Sequence, residues 1–398
     1  MTIDARYLVK TARVVDCHLH ISWVDGHSSR YHPMWLRHQC ECDDCGSSLD
    51  GVRGIRIHHI PEDIHPIETV VNDETVSIVW NNDRHTSDYC TRWLRDNCYS
   101  DRERAARKHL PSLWDRISAE RVDPVDFVAA ESDQSVRLKC LETVADYGFC
   151  PLINMPKDLS ESHRPIALVG DQRTTHYGTY TLGKKRKVRN VGDVTGPLDP
   201  HSDETYRMST IGITVFQVLR PSSDGGASTL MDGFEAVRRL RESFPDDYEL
   251  LCRTPVTTQR FDDFSDDALP KWYVSRQPWI KVDEDNDVCG VRINERQIAP
   301  LDMPGDSIES FYAALRRLMQ IVYDPELRIT FPLQAGEGLL FNNQRVLHGR
   351  TAYKAEQPGR SVLTSSVDLE EFYSTIRVLK LQQGHTGPAL RYAQGMVF

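Results

Sequence analysis

A His-x-Asp pair at His201 and Asp203, with a third histidine at His348, is the feature that most restricts how this chain can fold. In an extended strand, residues i and i+2 point to the same side, so we expect His201 and Asp203 to share one face. His348 lies 145 residues further along the chain and has to reach the same point from another strand. The fold must therefore bring two distant strands together.

The donor types in this trio favour one metal. Two histidines and one carboxylate form the facial site typical of ferrous iron, which leaves positions open for a co-substrate and dioxygen. Arg360 follows His348 by twelve residues, at the start of a strand-like run. A guanidinium there can bind a carboxylate through two parallel hydrogen bonds, and the Ser228 hydroxyl can assist. We predict Fe(II) at His201, Asp203 and His348, and the far carboxylate of 2-oxoglutarate at Arg360 and Ser228.

Composition restricts the partners of the chain. Its 398 residues are 39% hydrophobic and 27% charged, which is typical of a globular protein rather than a disordered one. The net charge of −10 argues against binding to nucleic acid or to an anionic membrane, so we expect a small-molecule partner. Because the N-terminus lacks a signal-peptide pattern and no later run approaches a membrane span, we expect a cytoplasmic protein.

Three of the ten cysteines form a Cys-x-Cys-x-x-Cys cluster at Cys40, Cys42 and Cys45. Their sulfur atoms fit three corners of a tetrahedral zinc site, which requires a fourth ligand. The alternative is that they are free thiols in a loop. The segment that ends in this cluster has an echo, because Trp35–Cys40 is similar to Trp93–Cys98. We interpret the echo as two similar tryptophan-anchored turns in one small domain.

The order of motifs predicts an N-terminal β-rich domain over residues 1–105, a charged linker over 106–125 and a catalytic domain over 126–398. Apolar and turn patterns predict the following elements: a β-hairpin or meander within 1–30, a helix over 136–147 ended by Gly148, a strand over 149–153, a long strand over 208–219, a helix capped by Asp232, a helix over 307–322 and strands over 329–333 and 339–347. The last of these strands would deliver His348 at its end.

Several of these segments together resemble γ-butyrobetaine hydroxylase and trimethyllysine hydroxylase over about residues 30 to 380. They are the triad, the Gly225-Gly226 turn, the Asp232-Gly-Phe helix start and the Leu347–Arg350 segment. The resemblance implies a TauD-like Fe(II)- and 2-oxoglutarate-dependent oxygenase, mostly β with helices (α+β). Its core would be a double-stranded β-helix, or jelly roll, behind a small zinc-binding domain. The resemblance also implies that His85 completes a structural Zn(II) site with the three cysteines. We further expect a homodimer, with ascorbate as a reductant.

The resemblance also bears on the substrate. Carnitine-pathway hydroxylases hold a trimethylammonium group in an aromatic cage. The matching positions in this chain hold Tyr177, Thr181, Asp193 and Ser366. Polar side chains and one carboxylate suit a primary ammonium, which has three N–H donors. Asn190 matches a position that helps to hold the substrate carboxylate, and Asn294 lies in a comparable segment. We therefore predict a small zwitterionic substrate, such as an amino acid.

Several alternatives remain open from the sequence. The substrate could instead be γ-butyrobetaine or trimethyllysine, with Asp193 only capping a turn. The protein could be a noncatalytic binding module on the same fold, or a metal-dependent hydrolase, although the spacing from His348 to Arg360 has no role in a hydrolase. Loop 176–193 is either an active-site lid or a solvated loop. The product could be hydroxylated, desaturated or cyclised.

Overall fold

The computed structural model describes residues 4–49, 51–72, 74–82, 84–174, 180–182, 194–262, 270–354 and 359–390. The chain divides into two compact units. The first contains residues 4–109 together with 385–390, and the second contains residues 110–384. No helix among the described residues is long and apolar enough to cross a membrane.

The first unit consists of two antiparallel three-stranded sheets, each followed by a short helix. Its elements are β1 (Val9–Val15), β2 (His18–Trp23), β3 (Ser28–Tyr31), α1 (Pro33–His38), β4 (Pro66–Val71), β5 (Thr75–Trp80), β6 (Thr86–Cys90), α2 (Thr91–Asp96) and α3 (Asp101–Arg107). In β2 and β5 every second side chain is buried, as the two-residue period of a strand requires. Trp23 and Trp80 therefore share one apolar core. The meander predicted near the N-terminus is confirmed.

The second unit has mixed α and β content. Its strands are β7 (Val125–Asp126), β8 (Phe149–Ile153), β9 (Tyr180–Leu182), β10 (Leu198–His201), β11 (Ile213–Arg220), β12 (Ser228–Asp232), β13 (Val256–Asp262), β14 (Lys271–Gln277), β15 (Ile280–Val282), β16 (Val288–Val291), β17 (Arg328–Phe331), β18 (Gly338–Asn342), β19 (Val346–Arg350) and β20 (Ser361–Val367). Its helices are α4 (Arg116–Ala119), α5 (Phe127–Ser132), α6 (Gln134–Tyr147), α7 (His163–Ala167), α8 (Gly233–Ser243), α9 (Pro245–Arg253), α10 (Ile308–Val322) and α11 (Leu369–Gln382).

Two sheets form the centre of this unit. One has six strands in the order β7-β8-β18-β11-β20-β9, and the other has four in the order β10-β19-β12-β17. Phe149 and Phe341 from the first sheet pack in one buried cluster with Leu230 and Val346 from the second. Two sheets that share one apolar layer in this way are consistent with a jelly-roll core.

The supporting helices begin and end where local chemistry dictates. Helix α6 ends at Gly148, whose φ of 79° lies in the left-handed region that glycine adopts without strain. Helix α8 begins at Asp232, whose Oδ1 accepts a hydrogen bond from the Phe234 N–H at 3.0 Å. The other carboxylate oxygen of Asp232 pairs with the buried guanidinium of Arg345 at 2.8 Å. Each of these helices was predicted from the sequence.

The prediction of one strand over 339–347 is wrong. The segment forms two strands, β18 and β19, joined by a turn in which the Arg345 N–H donates to the Asn342 carbonyl at 3.0 Å. The Asn342 side chain also accepts from the Gln344 N–H at 2.9 Å, as asparagine does in turns. His348 consequently lies in the middle of β19 rather than at a strand end. The strand predicted over 208–219 likewise begins later, at Ile213.

Candidate metal and co-substrate site

The three residues of the predicted triad come together at the edge of the four-stranded sheet. His201 ends β10 and pairs in register with His348 of the neighbouring strand β19. Asp203 Oδ1 lies 3.3 Å from His201 Nε2, and Asp203 Oδ2 lies 3.4 Å from His348 Nε2. All three residues offer donor atoms within 4.8 Å of one another. Asp203 itself lies in the turn after β10, so the reasoning that placed it on the same strand as His201 is wrong.

Contacts around the triad orient its donor atoms. His201 Nδ1 donates to the Asp199 carbonyl at 2.9 Å, which leaves Nε2 free to act as a ligand. Burial and the neighbouring His348 lower the pKa of His201, so its imidazole is neutral at pH 7. Burial raises the pKa of the Asp203 carboxyl, but His348 and His201 outweigh that effect and hold it well below its usual range. Neutral imidazoles and an ionised carboxylate are the forms that bind a metal.

Asn343 holds the backbone of Asp203, and sequence analysis did not identify it. Its Oδ1 accepts from the Asp203 N–H at 2.7 Å, and its Nδ2 donates to the Asp203 carbonyl at 3.1 Å. The side chain is fully buried. The Asn342-Asn343 dipeptide between two apolar runs is a turn signal that predicts the break between β18 and β19. It does not reveal that the turn contacts Asp203.

Arg360 is a buried cation beside the sheet. The residue immediately precedes β20, its side chain is 6% exposed, and its guanidinium lies 5.7 Å from the centre of the Tyr353 ring. Among the described residues no carboxylate pairs with it. Burial and the nearby Arg350 lower the pKa of Arg360 to about 10, so it remains charged at pH 7. A buried charge without a counter-ion is costly, and a bound carboxylate would relieve that cost.

The turn before β12 fits closely against this cation. Gly226 has a φ of 77°, and a Cβ atom added there would lie 3.2 Å from Tyr353 Cβ and 3.3 Å from Arg360 Cδ. Only glycine suits such a backbone conformation at such a close approach. Ser228, two residues later, is buried at the start of β12 opposite Arg350 of β19. The predicted serine thus lies on the strand whose preceding turn contacts Arg360.

Tyr353 and Arg350 complete these surroundings, and sequence analysis assigned neither a role. The Arg350 guanidinium stacks 4.6 Å from the centre of the Tyr353 ring and donates to the carbonyls of Val194 and Gly196. The Tyr353 hydroxyl is buried and has no hydrogen-bond partner within the described part of the chain. A polar ligand beside Arg360 would find this hydroxyl available.

The predicted substrate residues are only partly placed. Tyr177, Asn190 and Asp193 lie outside the described residues, together with most of loop 176–193. Thr181 lies in β9, which pairs with β20, and Ser366 is buried within β20. Asn294 is buried, and its Nδ2 donates at 3.1 Å to the carbonyl of Ser202, the residue between His201 and Asp203. Among the predicted substrate residues that the structure describes, Asn294 thus contacts the backbone between His201 and Asp203.

The cysteine cluster in the first unit forms a second set of converging donors. His85 Nε2 lies 3.4, 3.6 and 3.7 Å from the sulfur atoms of Cys40, Cys42 and Cys45. All four residues offer donor atoms within 4.8 Å of one another, and Cys40 and Cys45 are buried. Arg37 donates to the Cys45 sulfur at 3.4 Å. The donor types suit zinc, and no fifth ligand is required.

Comparison with known proteins agrees with this geometry. The model of the family "Taurine catabolism dioxygenase TauD, TfdA family" matches residues 106–365, and that of "Gamma-butyrobetaine hydroxylase-like, N-terminal" matches residues 11–95. A trimethyllysine dioxygenase of Meyerozyma guilliermondii is 27% identical, covering 96% of this chain and 98% of its own. A gamma-butyrobetaine dioxygenase of Pseudomonas sp. is 30% identical, covering 90% and 93%. The gamma-butyrobetaine dioxygenase of Homo sapiens is 26% identical, covering 91% and 94%. The chain belongs to the TauD/TfdA family and is an Fe(II)/2-oxoglutarate-dependent dioxygenase.

Proposed function

We propose that this dioxygenase oxidises an unactivated C–H bond of a small zwitterionic substrate, with an amino acid as the first candidate. In this proposal His201, Asp203 and His348 hold Fe(II), and Arg360 with Ser228 holds the far carboxylate of 2-oxoglutarate. The observation that carries the proposal is the convergence of two imidazoles and one carboxylate within 4.8 Å. When bound, iron and 2-oxoglutarate supply the activation of dioxygen that no protein side chain can provide.

The chain supplies position and charge. Asn343 holds the turn that carries Asp203, and the Asp199 carbonyl selects the ring nitrogen that His201 presents. Arg360 offers a planar donor pair in a buried place, where a carboxylate is bound more strongly than in water.

The metal and co-substrate assignments can be tested without turnover. Anaerobic titration of the protein with Fe(II) and then 2-oxoglutarate should produce the weak visible charge-transfer band of the chelate. His348→Ala should abolish the band, whereas Asn286→Ala, a change in a distant turn, should preserve it. A metal-dependent hydrolase or a noncatalytic module would show neither the band nor consumption of 2-oxoglutarate, and that result would refute the proposal.

The substrate class rests on polar residues at the positions of the aromatic cage. Asn294, predicted in a segment comparable to that of Asn190, supports a polar substrate, because its buried Oδ1 has no hydrogen-bond partner within the described ranges. The second candidates are γ-butyrobetaine and trimethyllysine, because relatives of this chain carry those names. Reactions with a panel of amino acids and betaines, followed by mass spectrometry, distinguish the two classes. Faster consumption of γ-butyrobetaine than of every primary amine would refute the amino-acid proposal.

The same experiment identifies the type of oxidation. A product heavier by one oxygen atom indicates hydroxylation, whereas a product lighter by two hydrogen atoms indicates desaturation or ring closure. Asp193→Asn should slow the turnover of a primary amine, because its carboxylate is the proposed partner of the substrate ammonium. Intact turnover in that variant would instead leave Asp193 with a role in a turn.

We further propose that Cys40, Cys42, Cys45 and His85 hold a structural Zn(II). The support is that one imidazole nitrogen faces all three sulfur atoms. A homodimer, a cytoplasmic location and ascorbate as reductant complete the proposal; the location derives from the N-terminal sequence rather than from the family resemblance. Zinc content by mass spectrometry, light scattering of the purified protein and activity with and without ascorbate test these points separately.

A further inference from the structure

The first unit is built from two copies of one element. Residues 9–45 form β1, β2, β3, α1 and the cysteine cluster, and residues 66–103 form β4, β5, β6, α2 and the start of α3. Equivalent residues are 57 positions apart in β1 and β2 relative to β4 and β5. From β3 and β6 onward they are 58 positions apart. The echo between Trp35–Cys40 and Trp93–Cys98 is therefore the end of a longer repeat. The echo was interpreted as two similar tryptophan-anchored turns in one small domain, but Trp35 and Trp93 lie in the short helices α1 and α2.

Equivalent side chains make equivalent contacts in the two copies. The indole nitrogen of Trp23 donates to Ser29 Oγ at 2.8 Å, and that of Trp80 donates to Ser87 Oγ at 2.9 Å. All four residues are buried. The two serines are thus positioned in the same way beside their respective strands, and both lie next to a cysteine sulfur of the other copy.

The two copies make reciprocal hydrogen bonds with each other. The Tyr31 hydroxyl of the first copy donates to the Leu94 carbonyl of the second at 2.7 Å. The Tyr89 hydroxyl of the second copy donates to the Leu36 carbonyl of the first at 2.6 Å. Each tyrosine therefore binds the helix of the opposite copy, which is the pattern that a pseudo-twofold axis generates.

This exchange also places a histidine of each copy against a cysteine of the other. His85 Nε2 lies 3.4 Å from Cys40 Sγ, and His27 Nε2 lies 3.4 Å from Cys98 Sγ. The place that corresponds to Cys42 is held by Ser100, whose hydroxyl lies 3.6 Å from Cys98 Sγ. We call the group formed by His27, Cys98, Ser100 and Glu103 the second centre.

Glu103 stands where the first copy has Cys45, and one arginine in each copy contacts this place. Arg37 donates to the Cys45 sulfur at 3.4 Å, and Arg95 pairs with Glu103 Oε1 at 2.9 Å. Glu103 Oε1 also lies 3.8 Å from Nδ1 of His27, the ring nitrogen that faces away from Cys98. The donors of the second centre therefore do not face one point, and its carboxylate is engaged by a buried cation.

We propose that the second centre is a latent zinc site, which means a metal-free counterpart of the cysteine cluster. In it the ion pair of Arg95 and Glu103 takes the structural role that zinc has in the first copy. The second centre lacks only the two thiolates whose places are taken by Ser100 and Glu103. Restoring both would offer a Cys3His set, which selects a thiophilic divalent cation such as Zn(II). The proposal rests on the proposed zinc at the cysteine cluster.

The test uses full-length Ser100→Cys/Glu103→Cys protein, purified without chelator and analysed for zinc by mass spectrometry. We expect one equivalent more than in the wild type, and the further change His27→Ala should remove it. Ser132→Cys/Glu309→Cys is the matched control, because it exchanges the same residue types at exposed helix positions. No zinc beyond that of the control would overturn the proposal. A wild type without zinc would instead refute the assignment of the first cluster.

A reciprocal exchange decides the matter even if the first variant folds poorly, since Ser100 also caps α3. Cys42→Ser/Cys45→Glu gives the first cluster the residues of the second centre, and Cys42→Ala/Cys45→Ala is its control. Both should lose zinc. The Ser/Glu variant should melt at the higher temperature, because Arg37 gains a carboxylate partner there. Equal melting temperatures would contradict the proposed equivalence.

Discussion

The cysteine cluster of the first unit and the triad of the second unit both gather donor atoms within 4.8 Å, but they differ in completeness. Three thiols and an imidazole fill every position of a tetrahedral ion. Two imidazoles and a carboxylate fill half of an octahedron and leave positions for co-substrate and dioxygen. The comparison teaches that ligand number and donor softness separate a site suited to folding from a site suited to chemistry.

The cysteine cluster and the triad also differ in the charged and polar side chains around them. At the cysteine cluster, Arg37 donates to the Cys45 sulfur, where it would offset the negative charge of thiolates in the proposed zinc site. At the triad, Asn343 binds only the backbone of Asp203 and leaves both carboxylate oxygens directed at the histidines. A nearby buried cation, Arg360, has no carboxylate partner among the described residues. The cysteine cluster has a cation beside a sulfur atom, whereas Arg360 carries a buried charge that a bound carboxylate would balance.

The strongest test of this contrast removes one ligand of the triad. His348→Ala should reduce 2-oxoglutarate turnover to background, because two remaining donors do not hold the iron. The melting temperature should stay near that of the wild type, since the site is proposed for chemistry rather than folding. Turnover assays and differential scanning calorimetry measure both quantities. Retention of activity would show that the iron lies elsewhere.

Removal of one ligand of the cysteine cluster should have the opposite result. Cys42→Ala should lose zinc and soluble yield, because structural zinc contributes binding free energy on the order of 10 kcal/mol to folding. The folded fraction should keep its visible charge-transfer band with Fe(II) and 2-oxoglutarate. The control is Cys90→Ala, at an exposed cysteine outside the cluster. Full zinc content together with an unchanged melting temperature would break the contrast between the two sites.

Arg360→Lys tests whether Arg360 binds the carboxylate of the co-substrate. The change keeps the positive charge but removes the planar donor pair, so 2-oxoglutarate should bind more weakly by about 1.5–3 kcal/mol. This corresponds to a rise of roughly 10- to 150-fold in the Michaelis constant for 2-oxoglutarate. Arg316→Lys, at an exposed arginine of α10, should leave it unaltered. An unchanged constant in Arg360→Lys would show that another residue holds the co-substrate.

Asn343→Ala should have the smallest of these effects. It removes two hydrogen bonds to the backbone of Asp203 while leaving all three ligands present. Loss of such a supporting contact lowers metal affinity by about 10- to 100-fold, so iron should be held more weakly. Asn342→Ala, which alters only a turn contact, is the control. Equal iron affinity in the two variants would remove Asn343 from the account of the site.

Much of the site was predictable because it depends on residue type and spacing. The triad, the three cysteines, the Arg360 position and the helix cap at Asp232 follow from local chemistry, whereas His85 was implied by the family resemblance. The structure brings the predicted metal donors together. Asn343 was not predictable, because its contact with Asp203 spans 140 residues and a turn signal does not say what the turn touches. The break between β18 and β19 was missed because the apolar runs were interpreted as one strand and the turn signal of Asn342-Asn343 between them was not used.

The sequence by itself determined which donors this protein has, their softness and their local spacing, since those properties belong to side chains and to short stretches of backbone. Tertiary structure alone decided which distant segments meet. It paired β10 with β19 so that His201 and His348 lie opposite each other. It also made His85 and His27 cross between the two copies of the first unit. The physical reason is that strand pairing and core packing depend on the whole chain at once, whereas residue spacing acts only within a few residues.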